Sequence, residues 1–193
     1  GNLEDALDLI GAVIDTEIND PRFFTYRASL LLAASSVDEA ASDIERSLAL
    51  KPGDTEALSL QTVIAVARNE HEMALETAEK AVASDPESAN ARVAQSYARQ
   101  AVFDLQGARE ALEQAVALSP DNALVWARLS EAHLAFGKAH EAMRAAERAA
   151  RLEPNLARTQ SVLGYAYLSK VHTKKAREAF EKAIALDQGD PLP

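Results

Sequence analysis

The sequence predicts an all-α fold in which antiparallel helix pairs repeat along the chain. Three observations lead to this prediction: a fixed period of 34 residues, small residues that keep this period, and apolar residues at helical spacing. A fixed period between about 20 and 50 residues is typical of a repeat array. Proline marks the period at Pro52, Pro86, Pro120 and Pro154, and Gln188 takes the fifth place. We therefore expect one elongated repeat array.

Each repeat also carries a recurring order of small and aromatic residues relative to its proline mark. Twelve residues before the mark stands an alanine, at Ala40, Ala74, Ala108, Ala142 and Ala176. Two repeats begin with the patterns Trp126-x2-Leu129-Ser130-x2-His133 and Gln160-x2-Leu163-Gly164-x2-Tyr167. In these columns the chain resembles the tetratricopeptide repeat (TPR) family. The resemblance implies a right-handed superhelical solenoid whose first helices line a concave groove, and the composition is similar to that of large bacterial TPR proteins.

The first element is a single helix without a partner. Apolar residues at helical spacing cover residues 3–16, and Ala6 lies one period before Ala40. Residues 1–20 therefore hold the second helix of a truncated leading repeat. Five full repeats follow, at 21–54, 55–88, 89–122, 123–156 and 157–190, and 191–193 begin a further truncated repeat.

Two helices are predicted in each full repeat from the apolar spacing. The predicted pairs are 21–34 with 37–50, 55–68 with 71–84, 89–101 with 105–118, 123–136 with 139–152, and 157–170 with 173–186. Pro21 suits the first turn of a helix, where its missing N–H is not needed. Side-chain caps are predicted for first helices at Ser88, Asn122 and Asn155, and for second helices at Ser36, Asn69 and Asp104.

The charge is negative and unevenly distributed. The formal net charge is −10, with −11 in residues 1–86 and +1 in residues 87–193. An acidic chain repels phosphate backbones, so we expect no nucleic-acid partner. The acidic half is either a solvated outer face or a surface that prefers a basic partner.

Several kinds of site and segment are absent from the sequence. It has no cysteine, no apolar run of membrane-spanning length and no targeting segment, so cytoplasm and periplasm both stay open. His71, His140 and His172 fall in turns of different repeats, too far apart in sequence to predict a metal site. His133 is interpreted as a packing residue. No phosphate loop or activated nucleophile is recognisable, so we expect no catalysis, no cofactor and no metal.

The family register places one set of first-helix residues in the groove. These predicted ligand-groove residues are Arg22, Tyr26, Leu60, Val63, Asn90, Tyr97, Arg128, Glu131, Arg158 and Tyr165. Tyrosine and arginine are common anchors of protein interfaces, and guanidinium groups bind carboxylates. Two alternatives stay open: the tyrosines pack against neighbouring repeats, or Arg128 pairs with Glu131 along its own helix.

The sequence thus favours a non-catalytic protein-interaction module that binds a peptide or protein segment in its groove. Leu60 and Val63 suit an extended segment or an amphipathic helix. The alternative is a structural spacer or self-assembly array within a larger protein, with end-to-end self-association of the chain. The identity of the partner stays open.

Overall fold

The computed structural model describes residues 2–14 and 20–187, which contain eleven α-helices and no strand. The all-α prediction is confirmed. None of the described helices is long and apolar enough to cross a membrane. In chain order the helices are α1 (Asn2–Ile14), α2 (Pro21–Ala33), α3 (Val37–Leu50), α4 (Thr55–Ala67), α5 (His71–Ser84), α6 (Ala89–Ala101), α7 (Leu105–Leu118), α8 (Ala123–Ala135), α9 (Ala139–Leu152), α10 (Ala157–Ser169) and α11 (Thr173–Asp187).

The predicted helix bounds agree with the structure to within one residue from α2 to α11. The first helix was predicted to reach residue 16, but residues 15–19 lie outside the described part of the chain. The further repeat predicted at 191–193 also lies outside it.

The first helices α2, α4, α6 and α8 begin after an extended residue whose side chain accepts a backbone N–H, as predicted for two of them. Ser88 Oγ accepts from the Ala91 N–H at 3.2 Å, and Asn122 Oδ1 accepts from the Leu124 N–H at 3.0 Å. Asp20 caps α2 in the same way, with Pro21 in the first turn. The prediction for Asn155 was wrong, because Leu156 is the N-cap residue and has no side-chain oxygen to accept a hydrogen bond.

Each turn between the two helices of a repeat contains one residue in the left-handed region. Such residues occur 34 positions apart, at Ser35, Asn69, Phe103, Gly137 and Val171, with φ between 58° and 67°. In each case the next N–H returns to the carbonyl five residues earlier, as Ser36 N does to Leu31 O at 2.8 Å. This hydrogen bond is characteristic of the Schellman motif, which ends the first helix and reverses the chain.

Two predicted caps of second helices were wrong, and a third was confirmed. Ser36 is the N-cap residue of α3, but its ψ of 67° is not extended and its side chain makes no capping hydrogen bond. Asn69 is the left-handed residue itself, and Glu70 becomes the N-cap residue of α5. Asp104 does cap as predicted, because its Oδ1 accepts from the Gly107 N–H at 2.9 Å.

The chain divides into two compact units, residues 1–108 and 109–193, which are described separately. In unit 1, α2 packs on α3, α4 packs on α5, and α6 packs on α4 and α5. The predicted alanine columns are buried: Ala40 and Ala74 have no exposed surface. Alanine at these positions lets helices approach closely, and larger side chains such as Phe24 and Ile44 fill the spaces between them.

In unit 2, α8 packs on α9, α10 packs on α11, and α10 also contacts α8 and α9. Its core joins Met143 and Ala146 of α9 to Val162 and Ala166 of α10. Gly164 leaves space for a large neighbour, because a Cβ atom at this residue would lie 2.6 Å from the Phe180 ring. A small residue on the first helix therefore accommodates a large one on the second.

Candidate functional site

In unit 1, the predicted groove residues lie on α2, α4 and α6 and form a surface of mixed character. Tyr26 is 56% exposed, whereas Leu60, Val63 and Tyr97 are half-buried. Tyr26 is therefore the most exposed aromatic side chain of this set in unit 1, and Leu60 and Val63 are partly exposed apolar side chains on α4.

The polar groove residues of unit 1 are already engaged with neighbours. The Arg22 guanidinium contacts the Asp20 carboxylate at 2.6 Å, and these hydrogen bonds lower the pKa of Asp20 to about 2. Asn90 Nδ2 donates to Glu56 Oε2 at 3.0 Å, which joins α6 to α4. Both contacts are exposed, so a ligand can exchange for them at little energetic cost.

In unit 2, an ion pair joins neighbouring first helices across the predicted groove. Arg158 Nη2 of α10 lies 2.8 Å from Glu131 Oε1 and 2.9 Å from Oε2 of α8. The sequence had suggested Arg128, on the same helix, as the partner of Glu131. Arg128 is half-buried in the structure. The pair of Arg158 and Glu131 is about half exposed and presents both a donor and an acceptor at this surface.

Beside this ion pair, α10 and α11 enclose a cavity of about 610 Å³ that contains several exposed apolar groups. Tyr165 is 55% exposed, and its ring packs edge-on against Phe180 with 5.0 Å between ring centroids. Leu168 and Ile184 are also about half exposed. Arg158 lies at the rim, so the cavity combines an apolar surface with one cation.

Sequence reasoning missed Phe180 and Ile184, because the family register assigns the groove to first helices alone. The signal was present in the sequence. Ile184 takes the column of Val116, which is buried, and Phe180 is the aromatic member of the column that contains Ala146.

The histidines are distributed as their sequence positions suggested. His71 and His140 are exposed at the starts of α5 and α9, His172 is exposed just before α11, and His133 is buried in α8. Within residues 2–14 and 20–187, no three His, Asp or Glu side chains are placed to hold a metal ion.

Comparison with known families identifies repeats along most of the chain. Three family models, each described as a tetratricopeptide repeat, match residues 1–55, 101–164 and 157–190. No curated protein sequence matches the chain at a significant level.

Solved structures with similar folds come from several bacteria. A thermophilic TPR protein of Thermus thermophilus is 23% identical, covers 88% of this chain and 93% of its own, and has a TM-score of 0.79. A TPR protein of Parabacteroides merdae is 18% identical over 96% of this chain and 73% of its own, with a TM-score of 0.76. Pseudomonas aeruginosa PilF is 19% identical over 90% and 78%, with a TM-score of 0.73. At these identities the likeness shows the fold.

Proposed function

Because the chain belongs to the tetratricopeptide repeat family, a common protein–protein interaction module, we propose that its first-helix surface binds a peptide or protein segment. TPR proteins are generally non-catalytic and generally bind protein partners, and we infer the same for this chain. The partner is recognised through exposed tyrosines, apolar strips and the ion pair of Arg158 and Glu131.

The observation that carries this proposal is the cavity between α10 and α11. Its volume of about 610 Å³ is large enough for one or two side chains of a ligand. Exposed Tyr165 and Leu168 are poorly hydrated and gain free energy when covered, at roughly 25 cal/mol per Å² of apolar surface buried. Arg158 orients the ligand, because its guanidinium group binds a carboxylate or carbonyl oxygen of the ligand.

The two units favour ligands of different chemistry. Unit 1 contains 19 acidic and 8 basic side chains, whereas unit 2 contains 11 acidic and 12 basic ones. We expect a basic segment to favour the surface around Tyr26, Leu60 and Val63 in unit 1. An apolar segment favours the cavity of unit 2.

The test selects peptides from a display library on the whole chain and measures their affinity by fluorescence polarisation. Tyr165→Ala combined with Arg158→Glu removes the exposed ring and reverses the charge at the rim of the cavity. We expect this double variant to bind at least about tenfold more weakly, as is usual for aromatic and arginine anchors. Arg177→Glu is the matched control, since Arg177 is exposed on α11, pairs with Glu181 and does not line the cavity.

Equal affinity of the wild type and the double variant, with an unchanged circular dichroism spectrum, would place the binding surface elsewhere and contradict the proposal. The alternative function, a spacer or self-assembly array, predicts a different result. In that case no peptide is selected, and sedimentation equilibrium shows a mass that rises with concentration and is reduced by Tyr165→Ala.

A further inference from the structure

Two clefts lie at the same register of the repeat, one in each unit, between a first helix and the second helix that follows it. Cleft 1 has a volume of about 360 Å³ and is lined by Arg27, Leu31, Glu39, Ser42, Asp43 and Arg46, together with Leu7 and Asp8 of α1. Cleft 2 has a volume of about 520 Å³ and is lined by the residues three periods later, Leu129, His133, Glu141, Arg144, Ala145 and Arg148. The side chains that line the two clefts can therefore be compared position by position.

In cleft 1 the charged side chains satisfy one another. Arg27 Nε and Nη2 donate to the two carboxylate oxygens of Asp43, each at 2.6 Å, and Asp43 is only 2% exposed. Arg46 lies over the Phe24 ring, with its guanidinium carbon 4.7 Å from the ring centroid. A bidentate pair of this kind leaves little capacity for an external ligand.

In cleft 2 the ion pair is absent, because Leu129 and Ala145 take the positions of Arg27 and Asp43. Both replacements are apolar, and the shorter Ala145 side chain leaves space. Trp126, at the position of Phe24, lines the same cavity and donates from Nε1 to the Pro120 carbonyl at 2.9 Å. The result is a roomier cleft with an apolar floor.

The walls of cleft 2 carry hydrogen-bond donors. Arg144 is exposed, and Arg148 Nη2 donates to Asp121 Oδ1 at 3.0 Å and to the Pro120 carbonyl at 3.2 Å. His133 is 8% exposed and its buried Nδ1 has no hydrogen-bond partner. Burial lowers the pKa of His133, so the imidazole is neutral at neutral pH.

The charged groups around His133 come from both flanking helices. Arg109 and Glu113 of α7 form an ion pair with each other, and Glu141 of α9 and Lys138 lie on the other side. The cleft is lined by Arg144, Arg148 and Glu141, and Asp121 already pairs with Arg148, so an incoming carboxylate exchanges for Asp121 on Arg148. Two guanidinium groups beside an apolar floor fit a carboxylate next to an apolar side chain.

We propose that cleft 2 is a second binding site, separate from the first-helix surface, for an acidic peptide segment. A carboxylate of the segment binds Arg144 and replaces Asp121 on Arg148. A neighbouring apolar side chain of the segment packs on Trp126 and Leu129. The register-equivalent cleft 1 does not bind such a segment, because the Arg27–Asp43 pair occupies the same place.

Trp126 makes the test direct, because it is the single tryptophan of the chain and lines cleft 2. The probe is a synthetic peptide that alternates leucine with glutamate, and its partner probe has glutamine in place of each glutamate. We expect the acidic peptide to produce a saturable change in tryptophan fluorescence and the glutamine peptide to bind at least about tenfold more weakly.

Two variants locate the binding. Arg144→Glu reverses one charge of the cleft and should weaken binding of the acidic peptide at least about tenfold, while the control Arg177→Glu should change it by less than about threefold. Leu129→Arg combined with Ala145→Asp rebuilds the cleft 1 pair in cleft 2. We expect this double variant, which keeps the repeat's own chemistry, to fold and to lose the fluorescence response.

Three results would overturn the proposal. The first is an absence of any saturable response to the acidic peptide in the wild type. The second is equal weakening by Arg144→Glu and Arg177→Glu, which would indicate only long-range charge attraction. The third is full binding by a folded Leu129→Arg/Ala145→Asp variant, as judged by circular dichroism.

Discussion

Clefts 1 and 2 occupy the same place in the repeat, yet one contains a closed ion pair and the other an open cavity. Cleft 1 has a volume of about 360 Å³ and contains the pair of Arg27 and Asp43, whereas cleft 2 has about 520 Å³ and contains Leu129 and Ala145 instead. The backbone around both clefts follows the same 34-residue register. The period therefore determines where helices lie, while two side chains per repeat decide whether a cleft contains an ion pair.

The same contrast extends to charge. Unit 1 has a net charge of −11 and unit 2 of +1. The acidic excess of unit 1 lies mainly on exposed helix surfaces, such as Glu72, Glu76 and Glu79 of α5. One fold thus presents an acidic unit and a nearly neutral one.

The largest effect is expected from breaking the ion pair of cleft 1. Asp43→Ala removes a buried carboxylate and takes two hydrogen bonds from the Arg27 guanidinium. Loss of one partner from a buried ion pair costs about 3–5 kcal/mol, and we expect the lower end because the Arg27 side chain is 23% exposed. Urea unfolding of the wild type and the variant measures this loss.

The matched double variant sharpens the comparison. Arg27→Leu with Asp43→Ala copies the pair found in cleft 2, and replacing both partners by apolar groups is often nearly neutral. We expect most of the lost stability to return. A double variant as unstable as Asp43→Ala alone would mean that cleft 1 depends on its ion pair in a way that cleft 2 does not.

A smaller loss is expected at the close contact of unit 2. Gly164→Ala places a methyl group 2.6 Å from the Phe180 ring, and overpacking of this kind costs about 1–3 kcal/mol. In the preceding repeat, the residues equivalent to Gly164 and Phe180 are Ser130 and Ala146, which are both buried. Thermal unfolding should therefore show that Phe180→Leu restores much of the stability lost in Gly164→Ala, and failure to restore it would show that the clash is not the cause.

A modest gain is expected from the turn between α10 and α11. Val171 has a φ of 61°. The residue at the equivalent position is Gly137 one repeat earlier and Asn69 in unit 1. A β-branched residue is strained in the left-handed region, so Val171→Gly should stabilise the chain by about 0.5–1 kcal/mol. The thermal midpoint should rise by a few degrees, roughly 2–4 °C per kcal/mol. Gly137→Val is the converse variant and should lower the midpoint.

The smallest effect concerns His133, which takes the position of Leu31 in cleft 1. Burial lowers its pKa below the usual value of 6.5, so the unfolded chain binds more protons than the folded chain at mildly acid pH. This difference reduces stability as the pH falls below about 6.5 and is absent well above it. Urea midpoints at about pH 7.5 and about pH 5.5 should differ less in His133→Leu than in the wild type. An identical pH dependence would contradict the assignment.

Much of the fold was predictable because the period repeats every local signal five times. Alanine columns and proline marks determined helix ends to within one residue, even where single repeats such as 55–88 are degenerate. The prediction at Asn69 failed because the Schellman turn places this residue in the left-handed region, and Glu70 becomes the N-cap residue.

The site was less predictable than the fold, because its contacts join different helices. Register alone selected the exposed Tyr26 and Tyr165, whereas the contact of Glu131 with Arg158 depends on the distance between α8 and α10. Cleft 2 was missed because its signal is the loss of an ion pair. Only a column-by-column comparison of Arg27 with Leu129 and of Asp43 with Ala145 reveals it.

The contact of Gly164 with Phe180 has a consequence for how such arrays lengthen. Both residues lie within one 34-residue segment, so a duplication of that segment carries the small and the large partner together. The contact of Glu131 with Arg158 joins adjacent segments, so duplication of either segment keeps this contact at one junction and adds a junction that lacks it. Growth by whole periods therefore preserves the core contacts within a segment and changes the polar contacts between segments.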